Sequence, residues 1–180
     1  MGGQYFKIVI LDKNKNIRIW LDPYDYGEGY HLMQHAFLNT HLMGAIEYLI
    51  SPQGQYYKSP IIWAGDFAEP QGDNIYSKCN LCYYNKQSPP AYDTRCYRYV
   101  VNYTKKMYVD KYPDGDCGKT FKINIYKIHP LPLLVMDNKN GGKGSYEGED
   151  EHLLGTWSGD IISVELEPPE KFIKLNYNFN

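Results

Sequence analysis

The chain has 180 residues, enough for one domain whose core is stable unaided. At 43% hydrophobic, 22% charged and a net charge of −2, it is neither a disordered polyelectrolyte nor a uniformly basic nucleic-acid binder. Nothing approaches ~18 consecutive apolar residues, and Met1–Leu11 lacks a basic stretch ahead of a long apolar run. The reading therefore has no membrane span and no secretory signal. Phe6 stands where a myristoylation signal after Gly2 wants Ser or Thr, which argues against lipidation. A cytoplasmic protein with reduced cysteines is expected.

In chain order, Gln4–Leu11 alternates with Phe6, Ile8 and Ile10 on one face, and Ile17–Leu21 aligns Ile17, Ile19 and Leu21. The polar 12–16 turn between them predicts a β-hairpin. Pro23 and Gly27 break it. Residues 28–50 carry the three-to-four spacing of a buried helical stripe, divided by a cap at Asn39-Thr40 into a short helix and a longer one. Residues 60–66 read as a short buried strand ending in Trp63-Ala-Gly-Asp66, echoed by Trp157-Ser-Gly-Asp160 ahead of the alternating Ile162, Val164 and Leu166. Residues 95–102 and 106–110 flank Tyr103-Thr-Lys105 as a second hairpin. Phe121, Ile123 and Ile125 mark another strand, His129-Pro-Leu-Pro132 an extended segment, 138–151 a polar mobile loop, and 172–179 a closing strand. The sum is a single α+β domain over 1–180: a mainly antiparallel sheet with one helical layer.

Charge is not spread evenly along it. Residues 78–128 hold all four cysteines, nine of nineteen tyrosines, and ten Lys/Arg against four acids, a balance of +6. The other 129 residues hold nine Lys/Arg and seventeen acids, a balance of −8. A basic, aromatic segment in an acidic body suggests a surface for a polyanion.

The opening Met-Gly-Gly-Gln-Tyr-Phe, then Leu11-Asp-Lys13, residues 23–29, the Gly-rich 141–144 and Gly155-Thr-Trp-Ser-Gly-Asp160 resemble a widespread family whose members begin MGQYY or MGQYF. The likeness covers the ends of the chain better than the middle, and the chain departs from it by an extra glycine and by its tyrosine-rich, cysteine-bearing centre. Within that family it is similar to the microsporidian dormancy factor 1 group. That resemblance implies ribosome hibernation: a non-catalytic plug in the tRNA exit site that touches ribosomal RNA and ribosomal proteins, with no DNA or membrane partner, monomeric off the ribosome.

Lysine and arginine gain affinity by displacing counterions from phosphate, and tyrosine or arginine faces stack on unpaired bases. Arg95, Tyr97, Arg98, Tyr103, Lys105, Lys106, Tyr108 and Lys111 are the candidate RNA contacts, against the alternative of a solvated hairpin whose tyrosines cover the sheet. Strand alternation places Arg95, Tyr97 and Tyr99 on one face and Arg98 on the other. Cys79-Asn-Leu-Cys82 has the spacing by which one turn offers two thiolates to zinc, and Cys96 and Cys117 complete a candidate tetrahedral site, against free, partly buried thiols. His31, His35 and His41 read as helix-surface or satisfied histidines. Residues 140–145 lack the phosphate-loop arrangement, and Asp114-Gly-Asp116 lacks the far glutamate of a calcium loop. A rival reading is a small-molecule or nucleotide-binding domain, either a plain binder or an enzyme, with a pocket between the two WxGD corners near Asp66, Asp160 and His35.

Overall fold

A computed structural model describes residues 4–81, 85–87, 97–113, 115, 124–137 and 144–179. Its main element is a seven-stranded sheet in the order β2-β1-β4-β8-β5-β6-β9, formed by β1 (Phe6–Leu11), β2 (Ile17–Leu21), β4 (Ser59–Gly65), β5 (Tyr99–Asn102), β6 (Met107–Asp110), β8 (Ile161–Glu165) and β9 (Ile173–Lys174). Neighbours are antiparallel except β9, which runs parallel to β6. β3 (Phe37–Leu38) pairs with β7 (Asn124–Ile128) in a second, small sheet. The helices are α1 (Leu32–His35), α2 (His41–Ile50), α3 (Ile75–Cys79) and α4 (Pro130–Leu134), so the α+β class holds.

The hairpin forms because its apolar alternation matches the pleat. Phe6, Ile8 and Ile10 enter the main core beneath α2 and α4, while Val9 and Leu11 join Trp20, Ile62, Ala64 and Cys79 on the opposite face. β1 is therefore buried along its whole length, covered on both sides. α2 starts where Thr40 Oγ1 accepts the Met43 N–H at 3.2 Å, and its stripe of Leu42, Met43, Ile46, Leu49 and Ile50 fills the core. The helical reading of 28–50 is narrowed: helix begins only at Leu32, and Phe37–Leu38 leaves it to pair with β7.

The extended reading of His129–Pro132 is corrected. These residues open α4, with Pro130 in its first position and Pro132 two residues later. Amide groups in a first helical turn have no intrahelical acceptor, so a proline there forfeits nothing, and its fixed φ suits the helix. His129 Nδ1 accepts the Leu131 N–H at 3.2 Å and caps the end. At 172–179, regular strand is confined to Ile173–Lys174; the rest continues extended, with Leu175 N–H donating to Tyr108 O at 2.8 Å and Phe179 buried against Tyr146 at 5.8 Å. Tyr146 itself is buried and donates to Glu149 O at 2.7 Å, which corrects the mobile-loop reading over 144–151; 138–143 lie outside the described residues.

The two WxGD peptides are neighbours, as β4 and β8 pair, but their corners differ. Trp63 lies inside β4 and Trp157 in the turn before β8; their N–H groups donate to consecutive carbonyls at the end of α4, Val135 and Leu134, at 3.0 and 2.8 Å. A Cβ at Gly65 would fall 1.9 Å from Gln4 Nε2, so any larger residue there would displace the Gln4 side chain. Asp160 adjoins Ile61 in the sheet, while Asp66, just past the end of β4, stands five residues beyond Ile61, roughly 16 Å away at strand rise. The two carboxylates do not converge.

Candidate nucleic-acid interface

Register decides which side chains share the outer face of the β8–β5–β6–β9 half of the sheet. Residues directly opposite in an antiparallel pair point the same way. Tyr99 faces Glu165 and Asp110, and Val101 faces Ser163 and Tyr108, while the alternate Val100, Val109, Ile162 and Val164 enter the core. The outer face thus carries Tyr99, Tyr108 and Glu165 together with the buried Val101, Asp110 and Ser163. Tyr103, in the β5–β6 turn, folds back over it.

A single carboxylate oxygen organises this wall. Glu165 Oε1 accepts from the hydroxyls of Tyr57 at 2.5 Å, Tyr103 at 2.7 Å and Ser163 at 2.9 Å. Burial, reinforced by that carboxylate, pushes the Tyr57 and Tyr103 hydroxyls above the ordinary phenol range, so both stay protonated donors. The hydroxyls consequently anchor both rings against the sheet. Tyr99 meets Tyr108 edge-on at 5.7 Å, and Phe172 meets Tyr103 in the same manner at 5.7 Å.

Lysines border these rings. Lys58 Nζ lies 5.1 Å from the Tyr57 ring centroid and 4.7 Å from that of Tyr103. Lys106 follows Tyr103 in the turn, Lys171 precedes Phe172, and Lys174 pairs with Tyr108 across β6–β9. All four are exposed. Lys58, Lys106 and Lys171 have left-handed backbones, with φ of 56°, 54° and 66°, a conformation costing a non-glycine residue roughly 1 kcal/mol. Among the described residues none of these three forms a salt bridge. Glu167 and Glu170 stand exposed on the same β8–β9 connection and moderate the local potential. The wall accordingly offers discrete ammonium contacts beside ring faces, not a broad positive field.

The sequence-derived contacts divide against this geometry. Tyr103, Lys106 and Tyr108 are on the wall. Lys105 is at its margin, paired with Asp160. Arg98 is committed to a two-pronged bond with Asp110, at 2.9 and 3.0 Å, and to Tyr112 O at 3.0 Å. Tyr97 and Lys111 are corrected: both are buried. Tyr97 lies ahead of the strand, so the alternation does not reach it; its ring enters the core and its hydroxyl donates to Gln53 Oε1 at 2.9 Å. Lys111 Nζ binds Glu47 in the interior, where His129 Nε2 reaches the same carboxylate oxygen at 2.8 Å. Burial opposes the Glu47 charge, but the Lys111 ammonium and the His129 bond outweigh it and hold its pKa below the ordinary value. Arg95 lies outside the described residues. Lys58, Lys171 and Lys174 escaped the sequence reading because they come from segments remote from the cysteine-bearing stretch, and a left-handed lysine leaves no mark in sequence.

No family model, curated protein or solved structure matches the chain.

The remaining candidates are placed as follows. Cys79 ends α3 and is fully buried against Trp20 and Ile62; Cys82, Cys96 and Cys117 lie outside the described residues. Among the described residues, no three His, Cys, Asp or Glu side chains are grouped to hold a metal ion. His35 is buried: its Nδ1–H donates to Gly29 O at 2.9 Å, and its Nε2 accepts from Trp63 Nε1 at 2.9 Å. Burial brings its pKa down to about 4 and keeps it neutral. His31 is half-buried and His41 exposed. No described helix is long and apolar enough to cross a membrane.

Proposed function

We propose that the protein is a non-catalytic ribosome-binding dormancy factor, occupying the tRNA exit site and meeting ribosomal RNA through the outer wall of its sheet. The observation that carries the reading is the cluster around Tyr103: fixed aromatic faces bordered by Lys58, Lys106 and Lys171, three exposed ammonium groups without a described carboxylate partner. Aromatic faces accept unpaired bases regardless of sequence, and each lysine–phosphate contact adds salt-dependent affinity. The likeness of the chain's ends to the wider family, and the similarity to its dormancy-factor group, supply the ribosome as the particular RNA.

Co-sedimentation with purified ribosomes at roughly 50 and 200 mM salt tests the reading. The protein should pellet at the lower salt and be released at the higher. Combined reversal of Lys58, Lys106 and Lys171 to Glu should weaken binding about tenfold or more, since three phosphate contacts become repulsive. These side chains are exposed, so the variant should keep the parent's thermal midpoint within about 2 °C. Retention of the wild-type protein in the supernatant, or pelleting indifferent to the triple reversal, would overturn the assignment.

A further inference from the structure

A second aromatic surface lies at the other half of the sheet, on elements the RNA reading does not use. Four rings run in succession: Tyr24 and Tyr30 are near-parallel, 7° apart in plane with centroids at 6.1 Å; Tyr5 lies 5.6 Å from Tyr30; and His31 lies 4.9 Å from Tyr5. Tyr24 is 70% exposed and Tyr5 40%, high values for rings placed side by side.

Its charge has the opposite sense to that of the outer wall. Asp22 and Asp25 flank Tyr24, and Asp66 is tied to the first ring by accepting the Tyr5 N–H on Oδ1 at 2.9 Å. Among the described residues, Lys86 is set against them: its Nζ stands 3.0 Å from Asp25 and 3.7 Å from Asp22. The other neighbouring lysine, Lys7, is buried and donates to Asn80 Oδ1 at 2.9 Å. Both lysines also show how the region treats positive charge. Lys7 Nζ lies 4.2 Å from the Tyr76 ring and 5.0 Å from Trp20, and Lys86 Nζ lies 5.5 Å from Trp20. Below the platform, ammonium groups are thus held over ring faces with carboxylate or amide support. Among the described residues the rings of Tyr5, Tyr24 and Tyr30 carry no such cation.

We propose that the Tyr5–Tyr24–Tyr30 surface binds an arginine side chain of a basic polypeptide segment, its guanidinium layered on an exposed tyrosine face, with Asp66 on one side and Asp22 and Asp25, where it competes with Lys86, on the other. Arginine suits the site better than lysine because its plane stacks flat on a ring while its edge N–H groups remain directed at carboxylates, and it gives up less hydration. A phosphate backbone is disfavoured here by the same three acids. This inference goes beyond the ribosomal reading and stands apart from it: the platform and the outer wall share no residue.

Heteronuclear NMR of the full chain tests it with three probes: a blocked peptide alternating glycine and arginine, its glycine–lysine counterpart, and a uridine oligonucleotide. The arginine peptide should produce saturable shifts in Tyr5, Tyr24, Tyr30 and His31, with affinity about fivefold above that of the lysine peptide. Tyr24→Ala, a change at an exposed ring, should weaken the arginine peptide about fivefold while leaving the remaining spectrum in place. Asp66→Asn keeps the acceptor for the Tyr5 N–H and removes only charge; it should weaken the peptide by about twofold to fivefold. Shifts scattered over the acidic body and unaffected by Tyr24→Ala would reduce the binding to non-specific attraction and overturn the proposal. Shifts of the same rings by the uridine oligonucleotide instead of the peptide would overturn it in favour of base stacking.

Discussion

His35 and Glu47 show how single buried groups set the pH range of the fold. His35 has its tautomer fixed by its two neighbours: Nε2 must accept from Trp63, and Nδ1–H must donate to Gly29. A folded pKa of about 4, below the ordinary value of 6.5, means that the unfolded chain takes up this proton first. Stability is therefore full above about pH 6.5 and declines as pH falls from there toward 4, by about 3 kcal/mol for this residue. Urea denaturation at a series of pH values should show that decline, and His35→Gln should reduce it, leaving the share of His129, whose pKa burial also lowers. Glu47, with its lowered pKa, adds a further loss only as pH drops below the ordinary carboxylate range, through its folded pKa. Its pairing with Lys111 gives a separate expectation. Lys111→Met strands a carboxylate in the interior and should cost about 3 kcal/mol or more, whereas Glu47→Gln/Lys111→Met should recover much of that loss. A double-mutant cycle with no coupling would show that the pair is not held as described.

At the scale of elements, what could be read in advance was whatever depends on neighbours in sequence. The β1–β2 hairpin and β8 follow from apolar alternation bounded by turn residues, β4 from a short apolar run, the β5–β6 hairpin from its flanked turn, and α2 from the Asn39-Thr40 cap. α4 was illegible because Pro130 and Pro132 act as breakers everywhere except in the first turn, and nothing local tells where a first turn is. His129 makes that start possible; His129→Ala should cost about 1 kcal/mol from the lost cap, and more once Glu47 loses its partner, as chemical denaturation would measure. The interior position of Lys111 was illegible for a different reason: its partner Glu47 lies 64 residues away on α2. The wall escaped in part because Lys58 and Phe172 approach Tyr103 only once β4 and β9 are in place. The α3 terminus carries one further expectation. If Cys79 joins Cys82, Cys96 and Cys117 at zinc, elemental analysis of the purified protein should find about one zinc per chain, and Cys79→Ala should abolish it. A folded chain free of zinc would dismiss the site.

Over the whole molecule, the imbalance between a basic middle and an acidic remainder is redistributed by folding. Arg98, Lys105 and Lys111 are spent on Asp110, Asp160 and Glu47, so part of the middle segment's charge is cancelled inside the fold. The lysines left exposed around Tyr103 come partly from elsewhere in the chain, while acids gather beside the tyrosines of the opposite half. Two surfaces of contrary sign suit a protein wedged between unlike partners. Where the basic segment and the RNA belong to one assembly, combining the outer-wall reversals with Tyr24→Ala should lower affinity for that assembly below that of each separate variant, as sedimentation would measure.

The sheet order also bears on how the chain reaches its native state. β8 lies between β4 and β5, with two paired positions on one side and four on the other, yet it is synthesised about fifty residues after the hairpin it completes. Until it inserts, the β2-β1-β4 ribbon and the β5-β6 hairpin are separate pieces, each with a raw edge capable of pairing with another molecule. Assembly should consequently be slow, on the millisecond-to-second scale of non-local β pairing, and halting it before residue 161 should give aggregates.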